Sequence, residues 1–214
     1  MPTLTGLAPD PRQPGYRLLE VDRGRFASLP EEALAGLPLV PGREIPPPLL
    51  ARLRELADVE AACRAALRVE ARRSHARGDL RRRLIQKQHP PAAVEAALAR
   101  LVAQGVLDDA RFARAYAATR LHCGRGPARL LRDLLGQGVE RRLAEAAVAQ
   151  ALVDEGVDPE QEARALAERR VRQLADVPVP ARKRRLTAYL LRRGYAGSQV
   201  RGLVEELCGE PARP

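Results

Sequence analysis

The sequence predicts an all-α protein: three tandem three-helix repeats forming an elongated curved solenoid, with a small N-terminal α/β or hairpin-containing satellite. Three observations predict it. First, residues 80–101, 130–151 and 186–207 align without a gap, at offsets of 50 and 56 residues. In that alignment Leu84-Ile85 falls on Leu134-Leu135 and Leu190-Leu191. Gln88 falls on Gly138 and Gly194, and His89 on Val139 and Tyr195. The second apolar stripe also keeps register, as Val94/Leu98/Leu101, Ala144/Val148/Ala151 and Val200/Val204/Leu207. One such helical unit cannot bury its apolar face alone, so a fixed-period array reads as stacked repeats. Second, the chain is 45% hydrophobic but only 3% aromatic, with no Trp, so the core is built from Leu, Ala and Val. Third, Gly138 and Gly194 punctuate helix two at corresponding places in the second and third repeats.

The elements follow in order. Residues 1–15 are rich in Pro and Gly and read as a disordered tail. Residues 16–57 form the satellite. Within it, 16–22 has strand character (Tyr16, Leu18, Leu19, Val21) and can turn at Arg23-Gly24 into 25–29 as a hairpin. Pro30 then opens a short helix, with Glu31 and Glu32 at its positive end. Residues 38–48 break the chain, and a helix follows over 49–56.

The first repeat occupies 58–106, with helices at 59–72, 79–88 and 91–104. Pro91 stands at the start of the last and Gly105 just past its end. The second repeat, 107–155, opens with Asp108 as N-cap and a helix over 109–121 on which Phe112 and Tyr116 stack at i, i+4. The stretch 124–126 is a joint, Pro127 starts the next helix, and 140–152 is the third. The third repeat with the C-terminal tail, 156–214, has helices over 159–174, 180–193 and 198–207.

The chain of 214 residues carries a formal charge of +10, and residues 1–60 contribute −2, so the repeats carry +12. Arg outnumbers Lys overwhelmingly; only Lys87 and Lys183 are present. A GC-rich coding bias explains that preference but not the sign of the charge, which favours a polyanionic partner. The candidate contact residues are Arg72, Arg73, Arg77, Arg81, Arg82 and Arg83 in the first repeat. Arg111, Arg114, Arg120, Arg125 and Arg129 belong to the second, and Arg182, Lys183, Arg184, Arg185, Arg192 and Arg193 to the third. No acid interrupts 111–132 or 182–193. In every repeat, cations surround the start of helix two, where the macrodipole makes a cation unfavourable by about 0.3–1 kcal/mol. That placement implies anions at these N-termini, lined up as one basic stripe that grips phosphate without reading bases.

No catalytic constellation is legible. His75, His89 and His122 lie in no metal-ligand spacing, and His89 fills a packing slot. Cys63, Cys123 and Cys208 are odd in number and far apart, which excludes a disulfide framework and a zinc motif. We therefore expect no enzyme activity, no metal and no cofactor. The N-terminus lacks the apolar run of a signal peptide, and no stretch reaches membrane-spanning length. A cytoplasmic monomer with no membrane contact is expected. On the residues alone, two classes fit the basic repeats: a stand-alone DNA-binding protein and a helical protein–protein adaptor.

At these residues the chain resembles the RecX family of regulators of the RecA recombinase. The resemblance covers about residues 60–207. Its most specific part is Leu107-Asp108-Asp109-Ala110-Arg111-Phe112-Ala113, close to the family's LDDxRFA segment. Gly124-x-Gly126-Pro127 follows, together with the recurring Leu-Leu-x-x-Gly of helix two and its Leu-x-x-Gly-Tyr form at 191–195. The structural motif residues are thus Asp108, Asp109, Phe112, Gly126 and Pro127. Two departures stand out. Ala76 occupies the slot where members carry a helix-capping Ser, and Gln88-His89 replaces the usual Gly-aromatic end. The resemblance implies a non-catalytic protein that lies in the groove of the RecA filament on single-stranded DNA. There it would bridge subunits and suppress ATP hydrolysis, strand exchange and co-protease activity. It also implies single-stranded, and by extension double-stranded, DNA as sequence-independent partners.

Overall fold

The computed structural model describes residues 1–195 and 197–209. The tail expected at 210–214 lies outside the described residues. The chain starts with a three-stranded antiparallel sheet of order β1 (Leu4–Pro9), β2 (Tyr16–Val21), β3 (Gly24–Pro30). The expectation of a disordered tail over 1–15 is therefore corrected: β1 pairs with β2 and buries Leu4. Tail composition concealed a strand whose backbone groups are satisfied by a distant partner. The hairpin is as expected, but its turn is Asp22-Arg23, one residue earlier than the sequence suggests. Both residues take positive φ (51° and 63°), the geometry that matches the twist of a two-residue hairpin.

A short α1 (Glu31–Leu34) leads to α2 (Pro47–Glu70). α2 is one helix, where two were expected at 49–56 and 59–72. No Gly or Pro stands in its interior, so nothing interrupts it. Leu4, Leu19, Leu29, Leu34, Ile45 and Leu53 form the core between sheet and helices.

The remaining helices are α3 (Arg77–Gln86), α4 (Pro91–Ala103), α5 (Asp109–Leu121), α6 (Pro127–Gly136), α7 (Arg141–Asp154), α8 (Pro159–Arg172), α9 (Val179–Arg193) and α10 (Ser198–Cys208). The protein is thus mostly helical, with a small sheet in front. Two compact units result. One joins Met1–Ser74 to Asp79–Leu107; the other joins His75–Gly78 to the chain from Asp108 onward.

The threefold register is a physical one. Leu80, Leu130 and Leu186 are fully buried, as are Leu84, Leu134 and Leu190. Helix two also ends identically each time. His89, Val139 and Tyr195 donate their N–H to the carbonyls of Leu84, Leu134 and Leu190, at 3.2, 3.1 and 3.1 Å. The residue before each is left-handed: Gln88 at φ 65°, Gly138 at 85° and Gly194 at 93°. This is the Schellman stop, which normally calls for glycine. Each unit builds its core from the aligned positions: Leu80, Leu84, Val94 and Leu98 in the first, and Leu130, Leu134, Ala144 and Val148 in the second. Leu186, Leu190, Val200 and Val204 do so in the third.

Candidate interaction surface

Within the second unit, the repeats meet end to end through their middle helices. The N–H groups of Gly126 and Ala128, at the start of α6, donate to the carbonyls of Arg193 and Gly194, at the end of α9, at 2.7 and 3.2 Å. A Cβ added to Gly194 would lie 2.3 Å from the Arg129 backbone nitrogen, and one added to Gly126 would lie 2.7 Å from the Gly194 carbonyl oxygen. The start of α3 repeats the arrangement, because a Cβ on Gly78 would lie 2.7 Å from Gly138 Cα. Two glycines at each junction let two backbones touch.

This junction corrects, for α6, the expectation of anions at the N-termini of helix two. At α6 those donors are taken by carbonyl oxygens of the next repeat. The positive end of one helix dipole meets the negative end of another, so cations beside the junction no longer carry the expected penalty. At α3 the first N–H, that of Arg77, is taken by the Asp109 carboxylate at 2.7 Å. The two adjacent aspartates thus cap two different helices. Asp108 accepts from the Arg111 N–H at 2.8 Å and caps its own helix, α5. That backbone hydrogen bond holds the Asp108 carboxyl below the usual carboxylate range. Asp109 supplies α3 with the cap that Ala76, itself fully buried, has no hydroxyl to provide.

The predicted contact arginines divide by what they touch. Around α6, Asp133 gathers Arg125 at 2.6 Å and Arg129 at 2.9 Å, and Arg125 also donates to the Tyr116 hydroxyl at 3.0 Å. Arg120 lies over the Tyr116 ring, 5.6 Å from its centroid, and Phe112 stacks against the same ring at 6.0 Å. In α3, Arg81 pairs with Glu95 at 2.5 Å, and Arg82 and Arg83 pair with Asp79 at 3.5 and 2.8 Å. Arg182 turns back onto the carbonyls of Ala175 and Val177 at 2.7 and 3.0 Å, Lys183 pairs with Glu205, and Arg193 donates to the Cys123 carbonyl at 3.1 Å. Arg72, Arg73, Arg77, Arg111 and Arg114 are exposed.

Three more lie on α9. Arg184, Arg185 and Arg192 are exposed on α9 and form no ion pair among the described residues. Seven-residue spacing puts Arg192 on the side of α9 that carries Arg185, and Leu191, 46% exposed, on the side that carries Arg184, in each case two turns further along. They make one solvent-facing side of the helix, cationic, with an exposed leucine towards its C-terminal end. Asp133, which holds two of the predicted residues in place, went unnoticed in the sequence, although it stands four residues after Arg129 and closes the acid-free run.

The remaining chemistry-bearing groups stay apart. His122 reaches Glu155 at 2.8 Å, while the Cys123 thiol faces the Thr119 carbonyl at 3.6 Å. Burial raises the Cys63 and Cys208 thiols above their ordinary value, and it pushes the Tyr195 hydroxyl up to about 12. Among the described residues, no group of three or more His, Cys, Asp or Glu could hold a metal ion, and no helix is long and apolar enough to cross a membrane.

Fold and surface together define a class: basic proteins of tandem three-helix domains joined helix end to helix end. Comparison with known proteins narrows it. Residues 108–148 match the model of the second three-helix domain of RecX, and 158–204 match that of the third. The regulatory protein RecX of Halorhodospira halophila is 38% identical over 143 residues, covering 66% of this chain and 85% of that one. The regulatory protein RecX of Thermobifida fusca is 37% identical over 171 residues, covering 77% and 87%. Among solved structures, a regulatory protein RecX superposes with a TM-score of 0.71 at 19% identity, covering 96% of this chain and all of that one. RecX from Lactobacillus salivarius does so with 0.57 at 18% identity, covering 70% and 96%. The chain belongs to the RecX family of regulatory proteins.

Proposed function

We propose that this chain is a non-catalytic cytoplasmic regulator that binds the RecA filament on single-stranded DNA as a monomer. Bound there, it inhibits ATP hydrolysis, strand exchange and co-protease activity. The observation that carries the reading is the exposed side of α9, where Arg184, Arg185 and Arg192 share a face with Leu191 without an acidic partner among the described residues. Guanidinium groups left to solvent in this way suit carboxylates or phosphates presented by an extended acidic polymer. Membership in a family of regulatory proteins supports the same reading.

The test is a titration of the chain into RecA assembled on single-stranded DNA, followed by ATP hydrolysis at two salt concentrations. Hydrolysis should fall at substoichiometric to near-stoichiometric amounts, and less steeply at the higher salt. An unchanged rate across a wide titration would exclude the proposal.

A further inference from the structure

Between the second and third repeats lies a cleft of about 390 Å³, walled by the loop after α5, by α8 and by α9. It falls within the size range of small-molecule sites. Arg170 and Arg193 reach the same aromatic ring from two helices. Their guanidinium carbons lie 5.4 and 5.3 Å from the Tyr189 centroid. Arg169 lines the same cleft, and the single carboxylate on its wall is Glu162. None of the three arginines forms an ion pair among the described residues. Arg170 donates one terminal N–H to the Gln173 side chain at 2.9 Å, but its Nε is buried without a hydrogen-bond partner.

Bringing like charges to one ring is unfavourable unless something offsets them, and a buried guanidinium N–H without an acceptor is costly. An anion in the cleft offsets the first of these; the buried Arg170 Nε is closed to solvent and is not its donor. Three guanidiniums against one carboxylate leave two positive charges, which match a dianion rather than a monoanion. The Tyr189 ring is already occupied by cations, so it fixes the arginines and is not a platform for a base. The geometry points to a phosphomonoester site, held by Arg169, Arg170 and Arg193. The source of the phosphate is a free nucleotide or the 5′-phosphate end of a strand. This site lies apart from the α9 face of Arg184, Arg185 and Arg192 and does not rest on the filament reading.

The experiment is a binding titration of the full chain with AMP, inorganic phosphate, glutarate, and an oligothymidylate with or without a 5′-phosphate. The phosphate-bearing probes should bind at least tenfold more tightly than glutarate. A 5′-phosphorylated strand preferred tenfold over its 5′-hydroxyl twin assigns a strand end, whereas AMP bound as tightly as that strand assigns a free nucleotide. Arg170→Gln should weaken binding of AMP and inorganic phosphate at least tenfold. Should Arg170→Gln impair folding, the wild-type arginine Nε–Hε resonances serve instead, and those of Arg170 and Arg193 should shift on adding phosphate. Binding indifferent to phosphate, affinity unmoved in a folded Arg170→Gln, or unshifted resonances in that titration would overturn the site.

Discussion

The middle helices of the second and third repeats carry similar arginine clusters and use them oppositely. Around α6, Arg125 from the preceding loop and Arg129 from the helix converge on Asp133, whose side chain is only 15% exposed, and Tyr116 joins them through its hydroxyl. On α9, Arg184, Arg185 and Arg192 face solvent. One cluster fastens a repeat together; the other remains available for a partner. Charge density alone therefore does not mark a contact surface. What separates the two is an acid within one helical turn of the cation, and a tyrosine brought in from a neighbouring helix.

The contrast can be broken most severely on the exposed side. Arg184→Glu, Arg185→Glu and Arg192→Glu together should abolish inhibition of RecA-dependent ATP hydrolysis. Solvent-facing substitutions of this kind change stability by only about 0.5 kcal/mol each, so helical circular dichroism should persist. Retained inhibition in the triple variant would move the contact elsewhere. On the buried side the effect should be smaller and of another kind. Asp133→Ala leaves Arg125, Arg129 and the Tyr116 hydroxyl without their shared acceptor. It should cost about 1–3 kcal/mol in denaturant unfolding, with inhibition preserved in the folded fraction. Loss of inhibition at unchanged stability would reverse the assignment of this cluster.

The smallest effect concerns the two ends of the array. Gly194 is pressed by Arg129 of the preceding repeat, whereas Gln88 occupies the matching slot in the first repeat, is exposed, and has no repeat before it. Its side chain is therefore tolerated, although its left-handed backbone remains strained. Gln88→Gly should stabilise the protein by roughly 0.5–1 kcal/mol, read as a rise in melting temperature. A fall would mean that the Gln88 side chain contributes more than the strain it imposes.

Much of this architecture was legible beforehand. The repeat register, the helix stops at 88, 138 and 194, the Asp108 cap and the hairpin all arise from interactions within a few residues, so local pattern exposes them. The failures share a cause. β1 was hidden in a Pro/Gly-rich tail because its partner β2 supplies the order. The Asp109 cap on α3 joins residues 32 apart in sequence. The α6 N-terminus looked like an anion site because the carbonyls that fill it come from the far end of α9.

The amino-acid sequence by itself determined a basic, Leu- and Ala-cored, threefold helical chain, because apolar periodicity and glycine stops are encoded turn by turn. Only the tertiary structure decided which arginines are spent on the fold and which stay open. That choice depends on where distant carboxylates and carbonyls come to rest, and only packing sets those positions.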